Sequence, residues 1–262
     1  MEQIALDIDH QFDLLLAIPD DQRARLYEAM RHAAIGGGKR LRPLLVVAAC
    51  ELFHVDRMAA LRVALAIECI HVYSLVHDDL PCMDDDDLRR GKPTVHKAFD
   101  EATAVLAGDS LHALGFDVLA DEATHPDPFV RVELLRELAH AAGPKGMAGG
   151  QMMDIAAEQS AFDLQTVTRL QQLKTGALIA FCLEAGAIMG RVPPERRTGL
   201  RGYARDVGLA FQIADDIIDV EGSEESAGKK VGKDAAAGKE TFLSLLGLDR
   251  APRELAEVDE LQ

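Results

Sequence analysis

Two acidic clusters contain the residues best suited to hold a cation. The first is His77-Asp78-Asp79 followed, after Leu80 to Met83, by Asp84, Asp85, Asp86 and Asp87; the second is Asp215, Asp216 and Asp219. On a helix, residues four apart share a face, which aligns Asp215 with Asp219 and Gln212 with Asp216. Carboxylates at that spacing repel one another by about 0.2–0.5 kcal/mol per pair, so such a cluster calls for a counter-charge. Mg2+ is the fitting ion, because it binds through one or two carboxylates and leaves room for waters and substrate phosphates. No Cys/His set offers itself to a softer metal. A calcium loop fails: counted from Asp84, the position that needs Gly is Arg89, and the one that needs Glu is Val95. A solvated acidic face is the plain alternative for either cluster alone.

The basic residues are grouped as well. Gly36-Gly37-Gly38-Lys39-Arg40-Leu41-Arg42-Pro43 puts three cations behind a flexible turn. It is not a phosphate loop of the nucleotide-binding kind, since Ala33 and Arg40 stand where Gly and Ser/Thr are required. What remains is an anion site without metal, with Lys39 as a point charge and Arg42 as a two-pronged donor. Arg89, Arg90 and Lys92 follow the first acidic cluster, either as its ion-pair partners or as further phosphate ligands. Lys174-Thr175-Gly176 marks a local interruption of a helix. Lys229, Lys230 and Lys233 lie in a Gly-, Lys- and Glu-rich stretch, 220–240, that reads as a surface loop. Taken alone, each of these lysines is more readily an ordinary surface residue.

The elements that must position these groups are helical. Leu61, Ala64, Leu65, Glu68, Cys69 and Val72 recur at three- and four-residue steps, whereas strand signals are scarce and no Asn-Gly turn occurs. Breaks at Gly36–Gly38, Pro81, Gly91–Pro93, Pro126–Pro128, Gly143–Gly146 and Pro193–Pro194 leave segments of helix length between them. The expectation is an all-α, single-domain antiparallel helical bundle over residues 1–262. A net charge of −16 argues against nucleic acid or an anionic membrane as partner, and means that an anionic substrate needs local cations. The four cysteines form no metal or disulfide spacing and read as reduced core thiols. With no leader-like N-terminus and no apolar run long enough to span a bilayer, a cytoplasmic protein is expected.

Taken in order, GGGKRLRP (36–43), HDDLPCMDDDDLRRGKPTVH (77–96), GGQMMDI (149–155), KTGALI (174–179) and FQIADDIIDV (211–220) resemble the successive signatures of the trans-isoprenyl diphosphate synthase family, nearest to bacterial farnesyl or geranylgeranyl diphosphate synthases. The resemblance runs from about Gly36 to Leu248. It implies the isoprenoid synthase fold, with helices around a deep central cavity, and Mg2+ as cofactor. By resemblance Asp78, Asp79 and Asp84, with Asp215, Asp216 and Asp219, are metal ligands for an allylic diphosphate. Arg89, Lys174, Thr175, Gln212 and Lys229 match positions around that diphosphate, and Lys39, Arg42, His71 and Arg90 match the metal-free isopentenyl diphosphate site. The reaction implied is ionisation of the allylic diphosphate, attack by the isopentenyl double bond and loss of a proton, with loop 220–240 closing over the site and Lys229 reaching the phosphates. Tyr73, with Ser74 beside it, matches the floor of the tail pocket and favours a C15 over a C20 product. Family members form homodimers, and they usually continue further beyond the stretch that ends at Leu248.

Overall fold

A computed structural model describes residues 1–157, 160 and 162–221, except for the side chains of 213–221. The elements are α1 (Glu2–Leu15), α2 (Ala24–Ala34), α3 (Leu41–Leu52), α4 (Arg57–Asp78), β1 (Leu88–Arg89), β2 (Lys92–Pro93), α5 (Val95–Ala98), α6 (Glu101–Ala120), α7 (Pro128–Ala142), α8 (Met147–Ala157), α9 (Leu164–Gln171), α10 (Ala177–Met189) and α11 (Thr198–Glu221). A π-helical turn, Gln172–Gly176, joins α9 to α10. The all-α expectation is met; each predicted Gly or Pro break lies between helices, and further breaks at 16–23, 53–56 and 99–100 carry no predicted signal. The chain divides into two compact units, one of residues 1–135 and 185–192, the other of 136–184 and 193–262.

In the first unit α4 is the central rod. Asp56 starts it by accepting the backbone N–H groups of Met58 and Ala59, at 2.9 and 3.1 Å. The predicted apolar spacing is its buried side: Leu61, Ala64, Leu65, Cys69 and Val72 are all buried. Gly115 lets α6 lie close against it, since a side-chain carbon there would stand 3.0 Å from the Ala66 carbonyl. By length and composition α4 passes as a membrane span, as does the helical run Leu164–Met189, but 67% and 56% of the residues in their apolar windows are buried inside the protein.

The tiny antiparallel ribbon β1–β2 is not announced by an Asn-Gly pair. Arg90 and Gly91 form its two-residue loop, both with positive φ (54° and 76°), the backbone that a tight hairpin needs. Among the cysteines, Cys50, Cys69 and Cys182 are buried free thiols, whereas Cys82 is exposed. Burial pushes the Cys50 thiol up to about 12, out of reach of ordinary thiolate chemistry.

The second unit holds α8, α9, the π-turn and α11. Asp163 caps α9 through the Thr166 N–H at 2.8 Å. Gly150 of α8 faces the π-turn so closely that a side-chain carbon there would collide with the Lys174 backbone.

Candidate functional site

The glycine-rich turn, α4 and the hairpin meet in the first unit. Gly36 and Gly38 adopt φ of 74° and 88°, and Arg40 adopts 49° just before α3 begins. These left-handed positions reverse the chain and set Lys39 and Arg42 at the start of α3. Lys39 is exposed and Arg42 half-buried. Arg42 Nη1 lies 3.4 Å from His71 Nε2 of α4, while the Arg42 Nε–H is buried with no hydrogen-bond acceptor. The Arg90 guanidinium lies against Gly38, where a side-chain carbon would stand 2.5 Å from its Cζ. Burial, then the charges of Arg42 and Arg90, push the His71 imidazole well below its ordinary 6.5, so it stays neutral. Among the described residues, no carboxylate bonds to Lys39, Arg42 or Arg90. Arg42, with its orphaned buried donor, and Arg90 act on a neutral histidine, and this donor set suits an anion.

The hairpin is tied down from outside the cluster. Lys92 Nζ donates to the Ile35 carbonyl at 3.3 Å, and His32 Nε2 lies 2.7 Å from the Pro93 carbonyl. Behind the turn, Gly36, Gly37, Asp79, Arg89, Arg90 and Lys92 border a cavity of about 40 Å³. That is room for water, far below the volume of a ligand pocket.

The first acidic cluster folds back on the end of α4. The N–H groups of Asp84, Asp85 and Asp86 donate to the carbonyls of Asp78, Leu80 and Asp79 at 2.8, 3.2 and 3.2 Å. Carboxylates are thereby gathered at a helix C-terminus, whose dipole already carries partial negative charge. Arg89 offsets part of this charge: its Nε donates to Asp79 Oδ1 at 2.9 Å, and its Nη2 also reaches Asp79 and, at 3.5 Å, Asp86. Burial pushes the Asp79 carboxyl up, and the Arg89 bonds only partly counter it. Asp84 is exposed and Asp78 half-buried. Among the described residues no three His, Cys, Asp or Glu side chains are grouped as a complete metal site. The donor chemistry nonetheless suits a hard cation, with oxygens alone and one carboxylate buried beyond what its single arginine balances.

Tyr73 lies between α4 and α6, edge-on to His112 at 4.8 Å and to His77 at 5.8 Å between ring centres. Burial, then the Asp78 charge, raise its pKa. Ser74 turns back on its own helix, its hydroxyl donating to the His71 carbonyl at 2.9 Å.

In the second unit the π-turn carries Lys174 and Thr175. Lys174 Nζ donates to Asp154 of α8 at 2.9 Å, and the Thr175 hydroxyl donates to Gln212 Oε1 of α11 at 3.2 Å. Asp154 is a polar partner not assigned from the sequence; its signal is the acidic end of GGQMMD, on the helix that Gly150 brings against the π-turn. Asp215, Asp216 and Asp219 fall on the last turns of α11, as their helical spacing predicts, but their side chains lie outside the described residues. Lys229 and most of the stretch 220–240 also lie outside them.

Residues 23–261 match the family model for polyprenyl synthetase. Over 241 residues the chain is 46% identical to the farnesyl diphosphate synthase of Bacillus subtilis, covering 92% of this chain and 80% of that one. It is also 46% identical to geranylgeranyl pyrophosphate synthase 11 of Arabidopsis thaliana, covering 93% and 69%. The apo crystal structure of an FPP/GFPP synthase from Zymomonas mobilis superposes with a TM-score of 0.90 at 62% identity, covering 99% of this chain and 88% of that one. A geranyltransferase from Helicobacter pylori, in complex with magnesium and isoprenyl diphosphate, gives 0.85 at 34% identity, covering 99% and 88%.

Proposed function

The chain belongs to the polyprenyl synthetase family, and on that premise we propose that it joins isopentenyl diphosphate to an allylic diphosphate, dimethylallyl or geranyl, to form farnesyl diphosphate. The observation that carries this reading is the separation of charge. One group, Arg42 and Arg90 at His71 with Lys39 exposed at the start of α3, is cationic and bonds to no described carboxylate. The other, at the end of α4, is carboxylate-rich and answered by Arg89. A reaction between two diphosphates, one bound through metal and one bound directly, needs both kinds of site.

In this reading Lys39, Arg42 and Arg90 hold the isopentenyl diphosphate, and neutral His71 orients Arg42 without adding charge. Asp78, Asp79 and Asp84, and Asp215, Asp216 and Asp219, hold magnesium for the allylic diphosphate; oxygen donors suit that ion, and the Helicobacter pylori relative was crystallised with it. Bound magnesium supplies positive charge to the departing phosphate oxygens. Arg89, Lys174, Thr175, Gln212 and Lys229 position that diphosphate and stabilise its growing charge. The allylic C–O bond breaks, the isopentenyl double bond provides the electron pair of the new C–C bond, and a proton leaves the isopentenyl unit to the released diphosphate. The enclosing side chains keep water from the cation. Tyr73 and Ser74 set the product length. The reading includes a cytoplasmic homodimer; the exposed apolar side chains of Val105, Leu106, Phe129 and Val132 on α6 and α7 support the pairing.

Incubation with isopentenyl and geranyl diphosphates in magnesium, followed by chromatography of the dephosphorylated products, tests the reading. A C15 alcohol that disappears when a chelator is added is the expected result. No elongation of any allylic diphosphate under these conditions overturns it.

A further inference from the structure

The glycine-rich turn supplies three cations, and the proposed function uses two. Arg40 is the third, and it faces inward: its side chain is 1% exposed. Its guanidinium donates to Glu68 Oε1 of α4 and to Asp9 Oδ1 of α1, each at 2.6 Å, and to the Ala34 carbonyl at the end of α2. It also lies over the Phe12 ring, 5.6 Å from its centre. Asp9 in turn accepts the backbone N–H of Gly36 at 3.1 Å, so one carboxylate holds both the entry to the turn and the Arg40 side chain.

The register on α4 gives this network its consequence. Glu68 and His71 are three residues apart, one above the other on a helix face. Arg40 bonds Glu68, and Arg42, two residues further along the chain, lies against His71. The turn is therefore keyed to two successive steps of α4: a buried charge pair fixes the first, and the second is the site itself. Arg40 holds a left-handed backbone (φ 49°) that a non-glycine residue adopts only when its surroundings impose it.

We propose that Arg40 is a positioning residue for isopentenyl diphosphate: bonded to Glu68 and Asp9, it sets the turn so that Lys39 and Arg42 face the diphosphate, and it does not itself touch substrate. The proposal rests on the assignment of Lys39, Arg42, His71 and Arg90 to isopentenyl diphosphate.

The test compares the wild type with Arg40→Lys, which keeps the charge but loses the fork, and with Asp9→Asn, which weakens the tie to Gly36 at a partly exposed position. Steady-state KM is measured separately for isopentenyl diphosphate and for geranyl diphosphate, alongside the melting temperature. In Arg40→Lys the KM for isopentenyl diphosphate is expected to rise about tenfold or more, because a small misplacement of binding groups is costly. The KM for geranyl diphosphate should stay within about twofold, since its ligands are elsewhere, and Asp9→Asn should shift the same constant in the same direction by less. Equal rises in both constants, or a fall in kcat with both unchanged, would overturn the proposal in favour of a purely structural ion pair. If Arg40→Lys does not fold, Asp9→Asn decides alone: an unchanged KM for isopentenyl diphosphate in that variant also overturns the proposal. A wild type that elongates geranyl diphosphate without saturating in isopentenyl diphosphate would instead refute the site assignment on which the proposal rests.

Discussion

At Gly38 the missing side chain is as informative as any charge nearby. The space a methyl would fill is taken by the Arg90 guanidinium, and φ is 88°. Gly38→Ala therefore combines a left-handed penalty of about 1 kcal/mol with displacement of Arg90. The expected outcome is a raised KM for isopentenyl diphosphate with near-normal folding, read by kinetics and thermal melting; an unchanged KM would show that Arg90 is free to move without consequence. Tyr73 makes a different kind of claim. With His112 and His77 against its ring, it is held edge-on where α4 meets α6. Tyr73→Ala is expected to lengthen the product beyond C15, and an unchanged product profile would remove the floor role. At this scale the sequence is legible for residues whose type is the message, such as the paired aspartates. It is mute about Arg40, because Lys39, Arg40 and Arg42 look alike until partners 31 and 28 residues away in the chain, Asp9 and Glu68, pick one of them out. A clue did exist: Glu68 falls within the apolar spacing of α4, and a charge there must find a counter-charge.

Among the elements, the helices follow from periodicity, and the end of α4 follows from Pro81. The π-turn at Gln172–Gly176 shows in the sequence only as an interruption at Lys174-Thr175-Gly176, since one extra residue in a turn leaves no separate pattern. Its effect is to carry Lys174 and Thr175 toward two different helices, with Asp154 on one and Gln212 on the other. The close approach at Gly150 makes this arrangement sensitive. Gly150→Ala would drive a methyl into the Lys174 backbone, a clash of the kind that costs about 1–3 kcal/mol. The variant is expected to lose thermal stability and to raise the KM for the allylic diphosphate more than that for isopentenyl diphosphate. Equal effects on both constants would separate the π-turn from the allylic substrate. The hairpin was missed as an element because its Arg90-Gly91 loop fulfils the turn geometry without the usual asparagine.

For the molecule as a whole, the sequence does not reveal a division into two compact units: two of the three crossings fall inside α7 and α10, which run through them unbroken, and the third, between Val192 and Pro193, reads as an ordinary break between helices. One property of the whole chain does follow from the site. The unfolded chain takes up a proton at His71 near its ordinary pKa of 6.5, whereas the folded protein refuses it at that pH. Stability is then unaffected well above pH 6.5 and falls as the pH drops through that value, by up to about 1.4 kcal/mol per pH unit for this group. Urea midpoints at pH 8 and pH 5.5 should show the loss, and His71→Gln should lose less than the wild type; equal losses would assign the acid sensitivity to other groups. A last consequence belongs to α4. Between His71 and Asp78 it is an uninterrupted rod with a rise of about 1.5 Å per residue, so it fixes about 10 Å of axial separation between the metal-free cluster and the carboxylates and serves as the protein's yardstick. Swapping side chains along it, at Tyr73 or Ser74 for example, leaves the calibration intact, whereas inserting one residue there would swing Asp78 about 100° around the axis from His71 and misalign the scale.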